Sequence, residues 1–394
     1  MKKRSILLVI LLFISIIILS VNSNNKYLVN EESLATYIDG EKTDSFPAKG
    51  TVAFSKADCD NNTNIYWDND TWGLYVTNLN EKTKCNLYFK TLENAVTKIT
   101  NLASTDTVNM ASDDPDNNIR YIGANPNNYV YFNCDDYNNQ TSDTCELWRI
   151  IGVFNNIEKE DGTRENLIKI VRNENLGYYS WDYKSDGTVS NDWSKSTLQQ
   201  LLNSGAYYNG TMGTYYNNST TVSNVNFTKN GLKNDKTRNT ITSVIWTLGG
   251  SSTPTISTGN WYDSEKKSNV YSGNSTSWTG KIGLMYPSDY GYATSGGSIA
   301  GRKECLNIIL SSWNSVGNEK CINNDYLLNT NNNKSLLSPS SIYSKLIFVL
   351  YHNGGVNWND ANINFSVYPT LFLKSNISIG IGDGSSNNPY QLSL

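Results

Sequence analysis

The chain has 394 residues, enough for two domains, and carries a net charge of −4 with only 17% charged residues. A weakly acidic chain this poor in charge offers no cationic footprint for a phosphate backbone, so nucleic acid is not expected as a partner. Its polarity comes from Asn, Ser, Thr and Tyr. The 26 Tyr and 10 Trp suit a surface that stacks on sugars, although an AT-rich coding bias would also enrich Asn and Tyr.

Residues 1–25 read as a signal peptide or signal anchor. Lys2, Lys3 and Arg4 precede an unbroken apolar run from Ser5 to Val21, followed by Asn22, Ser23, Asn24 and Asn25. A cationic start stays on the cytoplasmic side and the apolar run enters the translocon or the bilayer. The run is long for a cleaved segment, short for a spanning helix, and lacks an A-x-A cleavage site. Everything after it is expected outside the cell, secreted or held on the membrane by this one segment with its N-terminus inside.

Residues 26–90 read as a small β-sandwich module. Tyr37–Lys42, Thr51–Phe54, Asn64–Trp67, Trp72–Val76 and Cys85–Phe89 alternate between apolar and polar positions around Gly, Asp and Asn turns. The pattern resembles the short immunoglobulin-like modules of Gram-positive surface proteins. Residues 91–117 read as a helical linker: Leu92, Ala95, Val96, Ile99, Leu102 and Ala103 share one helical face. The Asp113–Asn117 stretch that follows lacks the register of a calcium loop and reads as a solvated loop.

From residue 118 to 394 the texture is that of a larger α+β, β-rich domain. Leu147–Phe154 and Asn166–Val171 are expected to pair as a hairpin across a long polar loop. Ser196 is placed to cap a helix through Asn203. The stretch from about 204 to 280 shows a regular patch at Thr240–Leu248 and little else.

The six cysteines fall into three neighbouring pairs, Cys59 with Cys85, Cys134 with Cys145, and Cys305 with Cys321. Sequence alone leaves the connectivity open, and proximity favours these local bridges. No Cys-x-x-Cys is present and there is a single histidine, so neither a zinc site nor any other metal or cofactor is expected.

The order of segments carries a resemblance. ELWRIIGVF (146–154), LIKIVRNENLG (167–177), YSWD (179–182), NDWSKSTLQQLLN (191–203), IGLMYPSDYGYA (282–293), CINNDYLL (321–328) and VYPTLFLKSNISIGIGDGSSNNPYQL (367–392) resemble the DUF6273-type domains of Gram-positive gut bacteria. That family looks related to the C-type-lectin-like fold that also contains the formylglycine-generating enzymes. The resemblance implies a lectin-like domain over 118–394 and an extracellular setting. Two positions depart from it. Tyr368 stands before Pro369 where the family commonly has Arg, and Leu337–Ser341 replaces a tryptophan-rich element.

Non-catalytic binding, adhesion or display is the expected function, with a glycan or a host or envelope surface as ligand. The alternatives are an extracellular glycan hydrolase, a thiol-dependent oxidase on the formylglycine-generating-enzyme-like fold, or a structural envelope component. A glycan site is expected at Trp181, Asp182, Asp192, Trp193, Asp289 and Tyr290, where Asp lies beside aromatic residues as in sugar-binding loops. Asp182, Asp192, Asp289 and Asp325 would be the carboxylates of a hydrolase. His352 would have to serve any histidine-dependent nucleophile, and its Tyr-His-Asn-Gly-Gly setting reads as a turn.

Overall fold

Leu147–Phe154 is apolar on both faces, and a strand of that kind must be covered on both sides. In the computed structural model, which describes residues 34–60, 63–68, 71–77, 83–328 and 330–394, it lies within the Glu146–Glu158 strand at the centre of a seven-stranded sheet. Arg164–Arg172 pairs with it on one side, and Ile119–Tyr121 and Tyr129–Phe132 pair with it elsewhere along its length. The sheet continues outward from Arg164–Arg172 through Thr370–Phe372 to Ile282–Gly283. The long loop expected between the two hairpin strands is instead a tight turn. Pairing runs out to Glu158 and Arg164 through two register shifts, and polar residues on the outer face mask the strand pattern there. Gly152 has a packing reason: a Cβ there would meet the Ile119 carbonyl oxygen at 1.9 Å, where the next strand crosses.

A second sheet of five strands has the order Tyr178–Ser180, Asn364–Ser366, Lys334–Pro339, Leu346–Leu350, Val356–Asp360. Helices and short hairpins fill the space between and around the sheets, so the architecture is α+β and β-rich. One core cluster joins both sheets and includes Trp148, Trp181, Trp193, Trp246, Trp261 and Trp313.

The N-terminal module is a four-stranded sheet in the order Glu41–Thr43, Leu34–Ile38, Cys85–Thr91, Val52–Cys59, with one parallel pair, and a separate hairpin of Asn64–Asp68 and Gly73–Thr77. Val52, Trp67, Leu87 and Phe89 form its small core. The helix expected after it runs from Ala95 to Ala103, with the Asn94 side chain accepting from Thr97 N. Ala95 and Ile99 are buried in the large core, and Glu93–Asn94 pairs with Ser378–Ile381. This segment is therefore part of the C-terminal unit.

Between 204 and 280 the structure contains far more order than the sequence pattern indicates: helices Ala206–Asn209, Asp235–Thr240 and Thr258–Lys266, and the paired strands Met212–Tyr215 with Ser223–Asn226 and Val244–Thr247 with Ser277–Gly280. The Thr258–Lys266 helix buries Trp261, Tyr262 and a glutamate, Glu265, a combination that apolar periodicity does not detect. The leader and anchor residues lie outside the described residues. Among the described residues no helix is long and apolar enough to cross a membrane.

All six cysteines are bridged, as Cys59–Cys85, Cys134–Cys145 and Cys305–Cys321. Three disulfides belong to an oxidising, extracellular setting. Cys305 and Cys321 are fully buried and hold the Ile299–Asn307 helix to the short helix Glu319–Ile322. Replacing both by serine is expected to cost about 3 kcal/mol, the loop-closure value for a span of this length, read as a lowered urea midpoint against the oxidised wild type.

Candidate binding cleft

The six residues expected to form a glycan site all lie inside the protein, and this corrects that expectation. Trp181 and Trp193 are 0% and 1% exposed, with ring centroids 5.1 Å apart. The Trp181 indole donates to the Leu336 carbonyl at 3.2 Å. No ring face is left for a sugar. Asp182 accepts from Ser190 N at 2.8 Å and Thr197 N at 3.0 Å, and burial raises its pKa against those bonds. Asp192 caps the turn at Trp193, accepting from Ser194 N, and pairs with Lys195 at 3.0 Å. Asp289 and Tyr290 sit on the Pro287–Gly291 helix, where Tyr290 donates to the Gly354 carbonyl at 3.0 Å. Trp-Asp adjacency here marks core rings beside loop-fixing carboxylates. Asp325, the fourth carboxylate considered for hydrolysis, is buried as well.

Asp289 belongs to a buried ion network. Its Oδ1 lies 3.0 Å from Arg120 Nη1 and its Oδ2 2.5 Å from Lys169 Nζ. Arg120 Nε also bonds Asp114 at 2.8 Å. Burial pushes the Asp289 pKa up, but Lys169 and Arg120 overcome it and hold the carboxyl below its usual range. The Asp113–Asn117 stretch is correspondingly only half a solvated loop, because Asp114 is inside it as an anchor for Arg120 and Asn118. The network joins two strands, a helix and a loop, with every member's side chain at most 2% exposed, and it ties those four pieces of the fold together.

Solvent reaches a different place. A cleft of about 210 Å³ opens at one end of the five-stranded sheet, lined by Tyr178, Asn331, Asn332, Asn333, His352, Asn364 and Phe365. The backbone brings these together. Tyr178 pairs with Ser366, and Lys334 pairs with both Ser366 and Leu350, so three strand ends and the turn after Leu350 converge. The Asn333 side-chain oxygen accepts from His352 N at 2.8 Å and faces His352 Nδ1 at 3.0 Å. A carboxamide oxygen only accepts, so Nδ1 is the donor in this contact and Nε2 is not engaged by Asn333. The Tyr178 hydroxyl donates to the Asn332 side-chain oxygen, which leaves the Asn332 amide protons for a ligand. The Tyr178 side chain is 55% exposed.

These residues carry no local signal in the sequence, for a physical reason. Asparagines in an asparagine-rich chain carry no spacing signal, and the lining comes from four separate segments, at Tyr178, Asn331–Asn333, His352 and Asn364–Phe365. His352 lies in a turn, as its Tyr-His-Asn-Gly-Gly setting indicates, and it also lines the cleft.

A larger open groove of about 560 Å³ lies at the far end of the Glu146–Arg172 hairpin. Within it Lys159 pairs with Glu165 at 2.6 Å, and Lys281 donates to the Tyr208 hydroxyl at 2.9 Å. Among the described residues no group of three or more His, Cys, Asp or Glu is placed to hold a metal. No family model, curated protein or solved structure matches this chain, and the functional reading therefore rests on geometry.

Proposed function

We propose that the chain is an extracellular surface protein, secreted or anchored through residues 1–25. In this reading the short β module is a spacer and a lectin-like domain over 118–394 binds a neutral glycan without catalysis. The observation that carries this is the cleft itself. Amides of Asn332, Asn333 and Asn364, one imidazole and a half-exposed tyrosine ring converge at strand ends, with no carboxylate, lysine or arginine among the described lining residues. Hydroxyl groups of a sugar both donate and accept, which amides match in both senses, and the apolar C–H face of a pyranose suits an aromatic ring.

The test is a glycan array on the full-length oxidised protein, followed by calorimetry with the best neutral oligosaccharide retained. Tyr178→Ala and Asn364→Ala are each expected to weaken that binding at least tenfold, about 1.4 kcal/mol, while global stability moves by less than about 1 kcal/mol because both side chains are exposed. Binding that is unchanged in both variants would remove the cleft from the account.

A further inference from the structure

Lys334 follows directly on the cleft asparagines and opens the Lys334–Pro339 strand. Its side chain turns inward. Nζ donates to the Leu327 carbonyl at 2.5 Å and lies 4.2 Å from the centroid of the Tyr368 ring. Leu327 N in turn donates to Asp325 Oδ1 at 2.8 Å, and Asp325 forms a backbone bridge to Gly123. One buried amine thus links the floor of the cleft to a turn that is fixed to the core.

We propose that Lys334 is the positioning residue of the cleft: its ammonium pins Asn332, Asn333 and its own backbone against the Asp325–Leu328 turn, and without that head group the cleft asparagines lose their fixed places. The inference rests on the cleft reading and deepens it by naming what orders the site. A buried lysine is costly, and nothing in the fold of the sheet demands one at this position, since Leu336 and Leu337 fill neighbouring places in the same strand.

The position also couples the cleft to pH. Burial pulls the Lys334 pKa down to about 7, against the opposing pull of Asp325, whose own pKa burial raises well above the carboxylate range. The other charged or titratable groups facing this pair are Arg149 from the central strand, Arg302 from the Ile299–Asn307 helix, Tyr290 from the Pro287–Gly291 helix, and Tyr326 and Tyr368 beside it. Below neutral pH the ammonium gives a charge-assisted bond to the Leu327 carbonyl; above it the neutral amine is a weaker donor.

Amide hydrogen exchange on the full-length oxidised protein tests this without any ligand. In Lys334→Met the peptides covering Asn332–Ser335 are expected to exchange at least tenfold faster than wild type at pH 6, while the Leu346–Leu350 strand keeps its protection. In wild type the protection of Asn332–Ser335, corrected for intrinsic rates, is expected to fall between pH 6 and pH 8, and in Lys334→Met to stay flat. Unchanged exchange at Asn332–Ser335, or equal acceleration in Leu346–Leu350, would overturn the pin. If Lys334→Met does not fold, Lys334→Gln carries the same test, and unchanged exchange at Asn332–Ser335 in that variant overturns the proposal. Failure of every glycan to bind would sink the cleft reading and leave the exchange result standing, so the two are separable.

Discussion

Replacing Trp181 by alanine is expected to destabilise the protein by about 3–5 kcal/mol, the usual cost of emptying a fully buried tryptophan site. The indole is 0% exposed, packs on Trp193 at 5.1 Å and spends its N–H on the Leu336 carbonyl. Removal leaves a cavity between the two and an unpaired carbonyl in the strand that leads from the cleft. Trp193→Ala should cost a similar amount, since Trp193 also packs on Trp278 at 6.2 Å. The double variant should lose less than the sum, because both holes open into one space. Urea denaturation followed by circular dichroism measures all three. Were either tryptophan a surface platform for sugar, its removal would leave the unfolding midpoint within about 0.5 kcal/mol of wild type. The same substitutions therefore separate a core role from a binding role without a ligand in hand.

What was legible in the sequence follows from how locally each feature is encoded. The Glu146–Glu158 and Arg164–Arg172 strands announce themselves by continuous apolar runs, and Ser196 by its position before a helical repeat; its side chain does accept from Gln199 N at 3.1 Å. The three disulfides were readable because each joins near neighbours. The buried ions were not readable. Asp114, Arg120, Lys169, Glu265 and Asp289 look like ordinary surface residues one at a time, and only the packing of five separate segments brings them together. Asp289 drew attention for its neighbour Tyr290, yet its partners are Arg120 and Lys169, 169 and 120 positions away. The cleft was hidden for the same reason, since its lining is drawn from four segments and its asparagines, at 331–333 and 364, sit at two places among many similar ones.

Glu265→Gln should flatten part of the pH dependence of stability, and the sign can be worked out from the network. Arg120 and Lys169 supply two positive charges, Asp114 and Asp289 two negative ones. A neutral Glu265 leaves that group balanced. Burial pushes the Glu265 pKa up to about 8, against the lowering effect of its bonds to the Ser288 hydroxyl and Ser288 N, the latter at 2.9 Å. The unfolded chain loses this proton near 4.5. Between those values the folded state holds a proton that the unfolded state has released, so the stabilising contribution is complete below 4.5 and is lost as pH rises through about 8. The full span is on the order of 5 kcal/mol. Glutamine keeps an acceptor for Ser288 N and offers a donor to the hydroxyl, and it cannot ionise. The variant should match wild type at pH 5 and exceed it by several kcal/mol at pH 9, read from urea midpoints. Lys334 titrates in both chains and cancels in the difference. Asp289→Asn should behave oppositely, losing about 3–5 kcal/mol at neutral pH by stranding Arg120 and Lys169 without their shared carboxylate. Equal pH slopes for wild type and Glu265→Gln would mean that Glu265 is already ionised in the folded protein, and the network would then carry a net negative charge.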